Sequence, residues 1–529
     1  MGPSRPTVRR DLFVLCLLAL ALFLPGLGSR DLWNPNEPAY GLAVAEMTER
    51  GDWWTPTVNG TPFHEKPILY FWLARVTTAL FGVNELALRL PSLLAGIVTV
   101  AFVYLLGAGH AGRRRGILAA VLFSTTVTIA QAARMIQMDL LATAAVAATV
   151  YFGLETLGRP DDRWPSVATG LAAGLGFLAK GPVTWVVAAI PLGAAIVLAR
   201  PRAGMSARFV ALGLGGLVAT VSIWIVPLVL RGDWDALHES LVRQNFTRFV
   251  EPWDHAQPWW YFLKYLWIDM APWAFLLPLA VGGRGGAERR LDRAAWAWLL
   301  GAMLFFSLSA SKRSAYLMPV APAVALLAAG VVERLIGGSL DLLRRRVVLA
   351  LLCASGLALL ATGWIALEAR TRYGEHSAAL TAVAIAVFAA AAAILAALSS
   401  RKRVGRASVC FLAVLVALEV GTGGWLLPYA NVFKSARAFA AESAAVAGED
   451  PISGYKHWIW RADYPYYLGR SIGRIEQPEE ARRAWNGEPR HCLIVEEWER
   501  ADFLSAVGPA NPLVARDVGS KGVELYCNR

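Results

Sequence analysis

Apolar runs long enough to cross a bilayer recur from end to end of the 529-residue chain, and they leave few folds open. A hydrocarbon core of about 30 Å takes about 20 residues of helix. The runs lie near 12–27, 90–109, 116–133, 140–157, 166–179, 183–199, 208–230, 270–283, 294–309, 316–335, 347–368, 377–398 and 407–427. They predict an α-helical integral membrane protein with about thirteen transmembrane helices. Their alanine and glycine content suits helices that approach closely in lipid. No repeat with a period of roughly 20–50 residues is visible in the series. The first run has Arg5, Arg9 and Arg10 ahead of it, as a signal peptide would. It lacks a small-residue cleavage pattern, so it reads as a retained helix whose exit is PGLGSRDLW.

The net charge of +12 could suggest a nucleic-acid partner, but its distribution excludes that reading. Arg113–Arg115, Arg200/Arg202/Arg208, Arg284/Arg289/Arg290/Arg293, Arg344–Arg346 and Arg401/Lys402/Arg403/Arg406 fall in short loops on the side of the N-terminus. Such asymmetry places the N-terminus in the cytoplasm, and an odd number of helices places everything after Leu427 outside. The positive charge thus reports topology and attraction to anionic lipid.

Two domains are expected: residues 1–427, with large outer segments at 28–89 and 231–269, and an outer tail at 428–529. The first segment holds two amphipathic helix candidates, Pro38–Arg50 and Lys66–Phe81, around the turn-rich GDWWTPTVNGTPFHE. In the tail, SARAFAAESAAVAG and ERADFLSAVG read as helices, and PISGY, HCLIVEE and VELYC as strands. They predict a small α/β domain. Cys492 and Cys527 lie in two of those strands, where the compartment permits a disulfide and where two thiols are equally consistent with the sequence. Trp33, Trp53, Trp54, Trp72, Trp253, Trp259, Trp260, Trp267 and Trp273 crowd the outer segments. Most read as an interfacial belt, and one or two could form a platform for a sugar or isoprenoid.

Ionisable residues gather in those same segments: Glu37, His64-Glu65-Lys66, Arg134 with Asp139, Lys180, Arg243 to His255, and Lys312-Arg313 before Tyr316. Carboxylates suit the deprotonation of an acceptor hydroxyl, and Lys and Arg suit a leaving phosphate whose charge grows in the transition state. Each also has a plainer reading. Glu37 is placed to be a helix-start charge. Asp139 is placed to pair structurally with Arg134, and Lys180 to snorkel to the interface. A divalent metal ion is an option through Glu65 and His255, although their spacing fits no compact metal motif.

The stretch NPNEPAYGLAVAEMTERGDWWTPTVNGTPFHEKPILYFWLARVTTALFGVNELALRLPSLLAG resembles the opening of the ArnT-like, polyprenyl-phosphate-dependent glycosyltransferases. These are relatives of the protein O-mannosyltransferases and share the GT-C membrane fold. The resemblance continues through ARMIQMDLL, GLGFLAKGPV, NFTRFVEPWDHAQPWWYF and SKRSAYLMPVAPAVALLAAG. It implies an inverting transferase that moves a sugar (aminoarabinose-like, mannose-like or other) from an undecaprenyl-phosphate-type donor to a periplasmic acceptor. It also implies a multi-pass protein of the bacterial inner membrane. By the same resemblance, Glu65-Lys66-Pro67 belongs to the donor-phosphate wall. Arg248, His255 and Tyr316 match further cavity positions and Asp139 the acidic residue opening a later span; Tyr40, Arg134, Lys312 and Arg313 are further candidate substrate contacts.

The family carries an Asp-Glu pair in the first outer loop, with the Asp as catalytic base. Here that position is Asn36, whose amide takes no proton at neutral pH. Three explanations stand: Glu37 or Asp139 serves as base, the acceptor is already ionised, or transfer has been lost. The alternative function is a catalytically impaired relative or a lipid-linked-sugar carrier that kept the cavity. A carrier would be expected to show mid-bilayer charges and internal duplication, and this chain shows neither.

Overall fold

The computed structural model describes residues 5–159, 162–199, 207–251, 254–281, 287–337, 346, 404–456, 461–519 and 521–528. Two of the expected spans, 347–368 and 377–398, lie outside the described residues. Among the described residues five helices are long and apolar enough to cross a membrane: Glu85–Ala111, Met138–Gly158, Ala207–Arg231, Glu288–Leu308 and Ser314–Ile336. The chain divides into two compact units. One comprises residues 1–25, 92–133 and 137–421, and the other residues 26–91, 134–136 and 422–529. In this division residues 26–91 fall in the same unit as residues 422–529.

In the larger unit, glycine sets how closely helices meet. A Cβ on Gly170 of helix Arg163–Lys180 would sit 1.8 Å from the Gly213 carbonyl oxygen of helix Ala207–Arg231, and one on Gly174 would strike Thr220. Only residues without a side chain permit that approach, through which dispersion contacts hold helices together in lipid. Several expected spans are not continuous α-helices, and two show why. The 116–133 run breaks into Arg113–Ser124 and Val127–Ala132, and at the break the Thr125 and Thr126 hydroxyls bond back to the Val121 and Leu122 carbonyls. The 270–283 run keeps only a tight 3₁₀ stretch, Trp273–Leu279, since Pro272 and Pro278 remove amide donors from the ladder.

The second unit carries a two-stranded hairpin, β1 (Thr57–Val58) and β2 (Thr61–Pro62), turned at Asn59-Gly60. Both turn residues have positive φ (52° and 76°), which Asn and Gly tolerate. The tail of this unit forms a five-stranded mixed sheet in the order β4-β3-β5-β7-β6. Its strands are β3 (Ile452–Tyr455), β4 (Gly473–Ile475), β5 (Cys492–Glu496), β6 (Val514–Val518) and β7 (Lys521–Cys527). β3 pairs in parallel with β4 and β5, and β7 pairs antiparallel with β5 and β6.

Helices cover both faces of the sheet, so β5 is buried along its whole length and reads as the unbroken apolar run CLIV. Cys492 and Ile494 pack with Phe439 and Tyr464 on one face, and Leu493 and Val495 with Phe503 and Tyr526 on the other. The three strands and two helices expected in the tail are present. Cys492 and Cys527, opposite one another in the β5–β7 ladder, form a disulfide. Helix Pro478–Asn486 was not anticipated, although its Gln477/Glu480 capping box is a readable start signal. The edge strands β4 and β6 were also missed. β6 buries only its two end residues, so its interior lacks the apolar alternation that marks a strand.

Candidate functional site

Glu37 opens the helix Glu37–Glu49, with Pro38 in its first turn where a missing N–H leaves no bond unmade. The helix-start reading of Glu37 is too weak. Its carboxylate is 1% exposed and bound on both oxygens. Oε1 accepts from Arg89 Nε (2.9 Å) and the Ile136 N–H (2.8 Å), and Oε2 from Arg30 (2.5 Å) and Arg89 Nη2 (3.0 Å). Burial pushes the Glu37 pKa up, but the charges and hydrogen bonds of Arg89 and Arg30, with the Ile136 amide, outweigh it and hold the group below the ordinary carboxylate value. Arg89 is fully buried and also donates to the carbonyls of Leu27, Arg30 and Asp31. The two arginines and Glu37 thus lock the peptide of 27–31 to the helix start. A carboxylate bound this way turns no lone pair toward an acceptor hydroxyl.

Its neighbour differs. Asn36, the N-cap residue, is half-buried and its side chain makes no capping bond. Tyr40 is a core ring between Phe63 (6.1 Å) and Phe71 (6.4 Å). Glu65 and Lys66 follow the hairpin, half-buried, with their charged atoms 3.8 Å apart. Arg134 is buried, and its guanidinium lies where a Cβ on Gly423 would have to be. All of these belong to the second unit.

The larger unit assembles a separate group. Asp139, in the first turn of helix Met138–Gly158, pairs with Lys180 and not, as the sequence suggested, with Arg134. Lys180 ends helix Arg163–Lys180 and lies over the Tyr316 ring at 4.6 Å, so it does more than snorkel. Tyr316 stands in the 3₁₀ segment Ser314–Val320. Arg248 follows a π-helical stretch, His238–Thr247, and grips both oxygens of Asp254 (2.7 and 2.8 Å) while donating to Gln244 (3.0 Å). His255 is about half exposed beside that pair, with a φ of +53°. Lys312 donates to the Gln257 (3.0 Å) and Ser309 carbonyls, which makes it a pin between two segments. The side chain of Arg313 is half-buried and makes no ion pair or hydrogen bond among the described residues.

Sequence reading missed Asp269. It closes helix Tyr261–Asp269 and is buried, its Oδ2 has no hydrogen-bond partner among the described residues, and burial pushes its pKa up to about 6 against a bond from Ser314. Ser314 begins the same 3₁₀ segment that carries Tyr316. Nothing in the local sequence YLWIDMAPW separates this aspartate from an exposed one. No three His, Cys, Asp or Glu side chains gather as a metal-holding group among the described residues, and Glu65 and His255 fall in different units.

Residues 65–226 match the family described as dolichyl-phosphate-mannose-protein mannosyltransferase. Over 427 residues, 78% of this chain and 75% of the relative, the sequence is 31% identical to undecaprenyl phosphate-alpha-4-amino-4-deoxy-L-arabinose arabinosyl transferase of Pseudomonas aeruginosa. The chain belongs to the ArnT-like glycosyltransferase family. A Pseudomonas fluorescens relative of the same description is 31% identical over 347 residues, spanning 63% of this chain and 62% of that one. The apo crystal structure of ArnT from Cupriavidus metallidurans matches 99% of each chain with a TM-score of 0.78 at 21% identity. The same protein bound to undecaprenyl phosphate gives 0.76 at 20%. The ArnT-like chain accordingly has the GT-C fold expected from its sequence, as a helical membrane protein with a small sheet region near its C-terminus.

Proposed function

We propose that this glycosyltransferase moves an aminoarabinose-like sugar from an undecaprenyl-phosphate donor to an acceptor oxygen that is already ionised, such as the phosphate of an envelope glycolipid. The observation that carries the reading is the state of the 36–37 pair. Asn36 has no basic atom at neutral pH, and Glu37 is saturated by Arg30, Arg89 and the Ile136 amide. An ionised acceptor needs no base. Its oxygen forms the bond to the anomeric carbon while the bond from that carbon to the polyprenyl phosphate breaks, and the electron pair leaves with that phosphate. The family resemblance gives Lys66 and Arg248 to the donor side, with Arg313 as a further cation, and positive charge suits a leaving phosphate. Asp139 is tied to Lys180 and is the second choice as a base.

Purified protein given a polyprenyl-phosphate aminosugar should modify a phosphorylated glycolipid and ignore the same lipid after phosphatase treatment. Equal transfer to the dephosphorylated hydroxyl would overturn the ionised-acceptor reading. The proposed orientation, cytoplasmic N-terminus and periplasmic tail, rests on the arginine-rich loops and agrees with the Cys492–Cys527 disulfide, which an oxidising compartment preserves. Reporter fusions at Gly448 and Arg345 should lie on opposite faces, outer and inner respectively. Finding both on one face would refute the map.

A further inference from the structure

The stretch 29–34 runs into Asn36-Glu37 without joining a helix or strand, so its buried backbone groups must find partners elsewhere. Arg89 holds the Arg30 and Asp31 carbonyls, and the tail supplies further partners. Asn431 accepts from the Asp31 N–H (2.9 Å) and the Trp33 indole (3.1 Å) and donates to the Ser29 carbonyl (2.9 Å). Tyr467 accepts from the Leu32 N–H (2.7 Å), and its hydroxyl lies 3.3 Å from Glu85. Arg437 donates to Asp31 (2.9 Å) and to Glu85. Asn34 donates to the buried Asp463 (2.6 Å). Leu32, at the centre, is wholly buried, and its side chain lies so near Gly41 that a Cβ there would come within 2.6 Å. At the far end of the same segment, Asn59 of the hairpin exchanges two bonds with the Ile472 backbone (2.8 and 2.9 Å). All of these groups lie within one compact unit.

From these contacts we infer that Asn431, Arg437, Asp463 and Tyr467 are positioning residues for sugar transfer: the tail fixes the backbone that presents Asn36 and is not an accessory. This inference rests on the transfer reaction proposed above. Four residues on three separate tail elements grip five of the six residues 29–34, which is more than attachment of a domain requires. A misplacement of about 1 Å in a site of this kind costs on the order of 10²-fold in rate. The grip acts on the acceptor side of the reaction, since Asn36 is the residue it delivers, so its loss should lower turnover and leave donor affinity in place.

The test uses full-length protein in lipid nanodiscs with Asn431→Ala, Tyr467→Phe and the double variant, and with Arg516→Ala as control. Arg516 pairs with Glu442 at the exposed edge of the tail and touches none of the groups above. Asn431→Ala should lower kcat by about 10- to 100-fold, with binding of undecaprenyl phosphate and the thermal midpoint nearly unchanged. Tyr467→Phe should do less, and the double variant should lose less than the product of the two, because both act on one segment. Arg516→Ala should match wild type. Hydrogen exchange gives a readout independent of turnover: peptides covering 29–36 should lose protection in the Asn431 and Tyr467 variants and keep it in the control. Unchanged protection there overturns the inference, whatever the activity. So does a parallel fall of kcat, donor binding and thermal midpoint, which a merely structural tail would give. A wild type with no transfer would instead refute the proposed reaction and leave the exchange result to decide the inference.

Discussion

Glu37→Gln should cost the protein stability and leave the chemistry of the molecules that remain folded. The substitution keeps the shape of the side chain but removes the charge that two buried guanidinium groups share. Breaking a buried ion pair from one side costs about 3–5 kcal/mol, because the remaining charge is left uncompensated. Glu37→Ala should cost at least as much, and Arg89→Ala should behave alike from the other side, since Arg89 also holds three carbonyls of the 27–31 peptide. The pH dependence follows from the same pair. The folded-state pKa of Glu37 is depressed, so its contribution is fully present above the ordinary value of 4.5 and is lost as pH falls through the lower folded value. Asn36→Asp should leave stability alone and raise the acceptor KM, as a new carboxylate would repel an ionised acceptor. Thermal unfolding and single-turnover transfer, measured on the same preparations, check all four variants. A fully stable Glu37→Gln with no transfer would return Glu37 to the role of base.

Removing positive charge from the leaving-group side should have the largest effect on rate. Lys66→Ala and Arg313→Ala are each expected to lower turnover by roughly 10²-fold, the usual scale for one lost cation facing charge that develops in the transition state. Neither should disturb folding: Lys66 is half-buried and pairs with Glu65 beside it, and Arg313 makes no side-chain bond among the described residues. Arg248→Ala should lower both turnover and stability, because its guanidinium also joins Asp254 and Gln244. Arg248→Lys would keep the charge and lose the two-pronged grip on Asp254, and so separates the two contributions. Near-normal transfer by both Lys66→Ala and Arg313→Ala would remove the phosphate assignment.

Lys312 and Arg313 show why adjacent residues of one charge could not be ranked from sequence. Both are cations just before Tyr316, yet Lys312 spends its ammonium on the Gln257 and Ser309 carbonyls while Arg313 forms no such bond. Which of them reaches a carbonyl depends on the turn at 309–313 and on the bridge between Ala256 and Ser311, a contact between segments far apart in the chain. Asp269 makes the same point for an acid. Its high pKa comes from burial, and burial is a property of the surrounding helices and not of the residue.

By itself the sequence determined that the chain is a helical membrane protein, since the length of an apolar run is a local quantity that a bilayer reads directly. It also determined most of the tail, where strands such as CLIVE and VELYC and the capped helices carry their signals within a few residues. The Asn at position 36 was visible there too. Only the tertiary structure decided what the charges do. Glu37 meets Arg89 across 52 residues and the Ile136 amide across 99, Asp139 meets Lys180, and Asp31 meets the tail across 400. Such pairings depend on which distant segments the packing brings together and how much water it removes, and a carboxylate locked between arginines is spelled in sequence as one open to substrate would be.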